Sequence, residues 1–338
     1  MVAQEDFFDK DIVNDKNKNK YFVINKGDFV YNPRKSIQAP YGPINLLENY
    51  DSGIVSPLYT CFTVQKDYTT FLKWYFKSNK WHKYIYINGD KGARGDRVSI
   101  KDSVFYGLTF YAPYKSEMNK IDNFLSAIDE KINVLSMKIS TLKKYKEGLI
   151  QQALKSTIKT PLNRLINESI DKTITNNQYV ILSSTAKGIF LQSDFFNHQI
   201  ASKNNTGYKI LKEGQIVFSP QNLWLGNINL LEKYKIGCVS PSYKVFDINR
   251  KIIDSKYLIE IMKTKIFLHK YKLCSEQGAS VVRRNLDLDQ FLNIKVPIPS
   301  NNKFYNLLNK FSDLIEIESS ILSIIISIKN YLLKNMFI

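Results

Sequence analysis

At 338 residues, 44% hydrophobic and 13% aromatic, the chain is long and apolar enough for two packed domains, which excludes a disordered polypeptide. Its net charge of +17 sits mostly in the two non-helical parts and points to a polyanion, nucleic acid ahead of anionic lipid, with solubility charge as the plain alternative. Cys61, Cys238 and Cys274 form no CxxC pair, His82, His198 and His269 stand alone, no apolar run approaches the ~20 residues of a membrane span, and the acidic N-terminus lacks the order of a signal peptide. The expectation is a cytoplasmic protein without metal, disulfide or membrane segment.

Residues 21–33 (YFVINKGDFVYNP) give an apolar run, Gly27 at a turn, and a β-rich run closed by Pro33, hence strand, turn, strand. Residues 44–59 (INLLENYDSGIVSPLY) follow, then Lys91-Gly92-Ala93 in a loop and residues 105–113 (FYGLTFYAP). From about residue 116 to 157, Ile121, Leu125, Ile128, Ile132, Leu135, Ile139 and Leu142 fall at alternating spacings of four and three, the heptad seam of one long helix. Such a helix cannot bury its seam alone. Thr160-Pro161 stops it.

Every element then recurs. Residues 208–220 (YKILKEGQIVFSP) repeat the strand pair with Gly214 at the turn, and residues 228–243 (INLLEKYKIGCVSPSY) repeat the next block. Gln277-Gly278-Ala279 repeats the loop, and residues 291–299 (FLNIKVPIP) repeat the exit. Residues 302–338 carry a second seam of Leu307, Phe311, Leu314, Ile321, Ile325, Ile328 and Leu332, with Glu318 as the exception opposite Ile132. The repeat of about 186 residues predicts an α+β chain: a domain at 1–115, a helix at 116–158, a second domain at 159–300 and a helix at 301–338. The helices are expected to pair as an antiparallel coiled coil in a pseudo-two-fold molecule.

The copies are unequal. Phe7-Phe8 matches Phe195-Phe196, so Met1 falls near Ile189, and the first copy has no counterpart of the strand-like residues 178–184 (QYVILSS). The first domain is therefore expected to be short and to expose an unpaired sheet edge.

This ordered, duplicated set, with its KGDFVYNP/EGQIVFSP turns, GIVSPLY/GCVSPSY blocks, YAP/PIP exits and paired heptad helices, resembles the specificity subunit of type I restriction-modification systems. The resemblance covers essentially the whole chain. It implies two target-recognition domains of mixed α/β structure, each reading one half of a bipartite double-stranded DNA target. It further implies that the coiled coil sets their spacing and docks two methyltransferase (modification) subunits, with restriction (motor and nuclease) subunits joining through the complex. The chain would then be non-catalytic and hold no cofactor, and S-adenosylmethionine, ATP and Mg would belong to the partner subunits.

The motifs agree with that reading. Tyr31-Asn32-Pro33-Arg34 has one proline and no following aromatic, so it reads as a turn rather than an adenine methyltransferase motif. No glycine-rich cofactor fingerprint and no GxxxxGK[ST] loop occurs. Two rivals remain: a free-standing methyltransferase or nuclease, and a truncated or stand-alone DNA-binding or interaction protein.

The candidate DNA-contacting residues lie in loops that differ between the copies: Arg34, Lys35, Gln38, Lys91, Arg94 and Arg97 in the first, and Gln221, Asn222, Trp224, Gln277, Arg283 and Arg284 in the second. Arg suits guanine O6/N7 and phosphate, whereas Asn and Gln suit adenine N6/N7. Solvated surface is the plain alternative, and core packing the alternative for Trp224. For helix pairing the candidates are Ile121, Leu125, Ile128, Leu135, Ile139 and Leu142 against Leu307, Phe311, Leu314, Ile321, Ile325 and Ile328. The broad apolar run at 321–328 (ILSIIISI) reads as a docking face for a partner subunit, with a better-buried coiled coil and a surface-lying membrane helix as alternatives.

Overall fold

The computed structural model describes residues 1, 20–89, 95–98, 100–195, 204–278, 283–299 and 302–337. These form two units, Met1–Lys138 with Glu318–Ile338, and Ile139–Ile317.

The first unit starts with strands β1 (Phe22–Asn25), β2 (Phe29–Tyr31), β3 (Ile44–Leu46), β4 (Ser52–Val55) and β5 (Thr60–Phe62). The turn between β1 and β2 needs a left-handed residue, and Gly27 supplies it at φ +98°, as Gly214 does at +81° in the second copy. β1 pairs antiparallel with β4, while β2 lies between β3 and β5 in an antiparallel sheet. Helices α1 (Thr69–Tyr75), α2 (His82–Asn88), α3 (Asp102–Phe105) and the long α4 (Lys115–Leu154) bury an aromatic core against that sheet. Within the core Tyr31 stacks on Phe105 at 5.2 Å and Phe62 meets Phe105 at 5.3 Å. The Tyr31 hydroxyl donates to the Tyr41 carbonyl at 2.8 Å, and burial pushes its pKa up to about 12. Trp74 Nε1 donates to Asp122 Oδ1 at 2.8 Å, which ties α1 to α4.

The second unit repeats this plan with additions. It contains β6 (Lys159–Pro161), α5 (Leu162–Leu165), β7 (Ile166–Glu168), β8 (Leu182–Thr185), β9 (Gly188–Leu191), α6 (Gln192–Phe195), β10 (Lys209–Lys212) and β11 (Ile216–Phe218). There follow a 3-10 turn at Pro220–Leu225, β12 (Ile228–Leu230), β13 (Ile236–Val239), β14 (Lys244–Ile248), α7 (Ser255–Met262), α8 (Lys265–Leu273), β15 (Ser275–Gln277), β16 (Arg284–Leu286), α9 (Leu288–Leu292), β17 (Lys295–Pro297) and the long α10 (Asn302–Asn335). β10 pairs with β13 as β1 does with β4, and the sheet β12-β11-β14 matches β3-β2-β5 but gains β7 beside β14. Phe218, Phe246 and Phe291 take the places of Tyr31, Phe62 and Phe105, with Phe218 stacked on Phe246 at 5.5 Å. Helices α7 and α9 start on side-chain caps: Asp254 accepts from the Tyr257 N–H at 2.8 Å, and Asp287 from two N–H groups of α9.

The long helices pair antiparallel in each unit. In the first, Asp129 pairs with Lys329 and Lys138 with Glu318, while Leu125, Ile121 and Ile128 share a core with Leu332, Leu333 and Phe337. In the second, Tyr145 meets Phe311 at 6.2 Å, and Ile150 and Ala153 share a core with Leu308. On α4 the predicted seam faces inward throughout, with Ile121, Leu125, Ile128, Leu135, Ile139 and Leu142 all buried or half-buried. On α10 it does not. Phe311, Ile325 and Leu332 face inward, but Leu307, Leu314, Ile321 and Ile328 are exposed. The inward row is Leu308, Phe311, Ile315, Glu318, Leu322, Ile325, Lys329 and Leu332. The apolar residues of α10 suffice for two rows, and the row that turned inward contains two charges that α4 neutralises.

One of those pairs gives a direct test. Glu318 is 9% exposed and accepts from Lys138 at 2.5 Å, whereas the Lys138 side chain is 54% exposed and stays hydrated without it. Glu318→Leu is therefore expected to leave the melting temperature unchanged or to stabilise by about 1 kcal/mol, because apolar replacements of buried ion pairs do so when no charge is stranded. A loss of more than about 2 kcal/mol in a denaturant titration would show that the pair itself holds the seam.

Candidate nucleic-acid interface

In the first unit Pro33 follows β2, and the chain then runs alongside residues 96–98. Lys35 N–H donates to the Asp96 carbonyl at 2.8 Å, Val98 N–H to the Pro33 carbonyl at 2.9 Å, and Arg34 and Arg97 form an antiparallel bridge. This ribbon brings Arg34, Lys35 and Arg97 together. Asp96 Oδ2 lies 3.9 Å from the Nε of each arginine, too long for a bidentate pair, so an exposed Arg34 and a half-buried Arg97 share one carboxylate loosely. Beyond it, Ser36 and Ala39 exchange backbone hydrogen bonds at 3.0 and 3.2 Å, and the turn presents Gln38 beside the fully exposed Ile37. Lys91 and Arg94 lie outside the described residues.

An aromatic wall borders this ribbon. Tyr41 packs against His82 at 5.1 Å and Tyr86 at 6.3 Å, and burial lowers the His82 pKa, which keeps the ring neutral near pH 7. Tyr86 is exposed, and Lys83 points outward from the same helix α2.

The second unit builds its cluster at equivalent positions with other side chains. Gln221, Asn222 and Trp224 sit on the Pro220–Leu225 turn, which packs against β16 and α8. Gln221 is exposed, and Asn222 Oδ1 is buried without a hydrogen-bond partner among the described residues. Trp224 is half-buried against the core, in line with the packing alternative, with Lys272 Nζ 6.0 Å above the ring. In the β15–β16 hairpin Gln277 is registered with Arg284, and Gly278 N–H donates to the Arg283 carbonyl at 3.1 Å, which leaves Gln277 and Arg283 exposed at the tip.

Arg284 departs from the expectation of a DNA-facing side chain. Its Nε donates to Ser275 Oγ at 2.8 Å, and Nη2 donates to the Lys272 carbonyl at 3.2 Å and to the Ser275 carbonyl. The guanidinium satisfies carbonyls at the end of α8 and braces the hairpin. The structure adds Lys270 and Lys272 on the last turn of α8, and Lys83 and Tyr86 on α2, as further candidates that the sequence reading did not single out. The signal available was the interleaving of Lys with Tyr and Phe in KYIYIN and FLHKYKL, in the helix that precedes the Lys91 segment in one copy and the Gln277 hairpin in the other.

No group of three or more His, Cys, Asp or Glu suited to a metal ion exists among the described residues, and no helix there is long and apolar enough to cross a membrane.

No family model matches the sequence, and no curated protein matches it. Among solved structures it is similar to the S subunit of a type-I restriction-modification system from M. genitalium, with a TM-score of 0.57 at 15% identity over 95% of this chain and 85% of that one. It is also similar to a chain from a structure concerned with complex assembly and conformational transition of the type I R-M system, with a TM-score of 0.50 at 12% identity over 92% of this chain and 81% of that one. The chain therefore shares the α+β fold of such an S subunit, long helices included.

Proposed function

We propose that this chain is the DNA sequence-specificity subunit of a type I restriction-modification complex, a non-catalytic reader. Each unit reads one half of a bipartite target, and the helix pair sets the spacing and docks two methyltransferase subunits. Methyl transfer and ATP-driven cleavage belong to those partners, which bring S-adenosylmethionine, ATP and Mg. The observation that carries this is the duplicated cluster: one scaffold presents Arg34, Lys35 and Arg97 in one copy, and Gln221, Gln277 and Arg283 at the matching place in the other. Equal scaffolds with unequal heads suit two different half-sites, because base identity is read by side-chain donors and acceptors.

The outward row of α10 supports docking. In the first unit Ile321, Ile324, Ile328 and Tyr331 are all exposed at helical spacing, a second apolar seam that fits a further helix. A stand-alone interaction protein is the second reading, favoured by the first unit's lack, among the described residues, of the strands that flank the second unit's sheets.

The test is selection from a random duplex pool by the chain with its methyltransferase subunit. Two short preferred blocks separated by a fixed gap are expected, and a pool without preference overturns the proposal. Arg34→Ala with Arg97→Ala is expected to weaken binding by about 1–3 kcal/mol for each arginine that reads a base and to relax one block only. Where an arginine binds phosphate instead, its removal lowers the salt slope by about one and weakens all sequences alike.

A further inference from the structure

The two copies differ in what covers one small sheet. In the second unit Leu211, Val217, Leu231, Val239 and Val245 form a fully buried cluster that is completed by Leu182 of β8, with Ile189 and Leu191 of β9 packed at its rim. The strand carrying Leu182 is added to the free edge of β13: Ile181 bridges Cys238 in parallel, and Cys238 N–H donates to the Val180 carbonyl at 2.9 Å. Cys238 is 0% exposed as a result. The approach is so close that a Cβ on Gly237 would lie 2.4 Å from Leu182 Cδ1 and 3.1 Å from the Val180 carbonyl oxygen.

The first unit has the same cluster without that strand. Ile24, Val30 and Leu47 stand where Leu211, Val217 and Leu231 stand, and Met1 packs on them as Ile189 does in the other copy. No described residue takes the place of Val180, Ile181 or Leu182. Ile54, the counterpart of Cys238, is 47% exposed, and its registered neighbour Val23 is 69% exposed, with Phe22 and Leu58 also open. Gly53 matches Gly237, yet a Cβ there would meet only Ile24 Cγ1, at 4.0 Å. The glycine keeps a clearance that nothing described uses.

We propose that the β4 edge of the first unit is a strand-acceptor site. Its occupant is an extended apolar segment of another polypeptide with the chemistry of residues 178–184, added parallel to β4 and seated over Gly53. The second unit supplies the template: backbone bonds to the strand edge give affinity, and an aliphatic side chain over the glycine gives fit. An open edge bearing Ile54 and Val55 without a lysine, beside the exposed Phe22 and Val23 of β1, invites such addition. The inference is independent of the DNA-reading function, since it rests only on the comparison of the two copies.

The experiment uses the full chain and a fluorescent synthetic peptide of residues 176–186. Saturable binding is expected by anisotropy, with hydrogen exchange slowing at residues 52–55 and unchanged at 236–239. Gly53→Val has room in the unoccupied unit and suits a strand, so it is expected to fold with an unchanged melting temperature and to bind the peptide at least tenfold more weakly. Absence of peptide binding overturns the site, as does equal binding by Gly53→Val. Exchange at 52–55 that is already as slow as at 236–239 without peptide shows that the chain covers its own edge, and protection that grows with protein concentration shows a second copy on it. Either result also overturns the proposal.

Discussion

Leu125→Asp is expected to unfold the first unit under conditions where the unaltered chain is native. Leu125 is 0% exposed and lies among Met118, Trp74, Leu333 and Phe337, so no water reaches a carboxylate placed there. Removing the leucine costs about 2–5 kcal/mol, and a buried unpaired charge adds several more, against a total stability of about 5–15 kcal/mol for a domain. Ile328→Asp is the informative control. Heptad spacing assigns both residues to a seam, yet Ile328 is 49% exposed, and its replacement is expected to change stability by less than about 0.5 kcal/mol. Thermal melts of the two variants decide the matter: equal losses would put Ile328 in the interior and refute the inward row described for α10.

Exchanging residues 161–300 for the matching region of another recognition domain is expected to alter one half of the DNA target completely and leave the other unchanged. The exchanged segment carries Gln221, Gln277 and Arg283 with the whole β7-to-β17 scaffold, while Arg34, Lys35 and Arg97 stay on the first unit. The proposed reading clusters are held by hydrogen bonds local to each unit, such as Lys35 to Asp96 and Gly278 to Arg283, so neither cluster borrows its geometry from the other. Methylome sequencing of cells carrying the chimaera and the cognate methyltransferase subunit measures this. Changes in both halves, or in neither, would reject one half-site per unit.

Much of this protein was determined by sequence alone. Two strand pairs hinged on Gly27 and Gly214, the recurrence of whole blocks, and a strict heptad on α4 are local signals, and local backbone chemistry enforces them. The unmatched residues 178–184 likewise point to a strand edge that differs between the copies, and among the described residues Ile54 and Val23 are exposed where Cys238 is covered. Three features were decided only by tertiary structure. The spacing on α10 fits either of two apolar rows, and the choice fell to the row containing Glu318 and Lys329, because Lys138 and Asp129 of the distant α4 neutralise them. Arg284 looked like a reader beside Arg283, but the carbonyls at the end of α8 lay within reach and claimed its donors. Arg34 and Arg97 lie far apart in sequence, and only the backbone bridge between their segments brings the two candidates together. Ion pairs, caps and bridges of this kind depend on partners far away along the chain, whereas periodicity reports only what neighbours share.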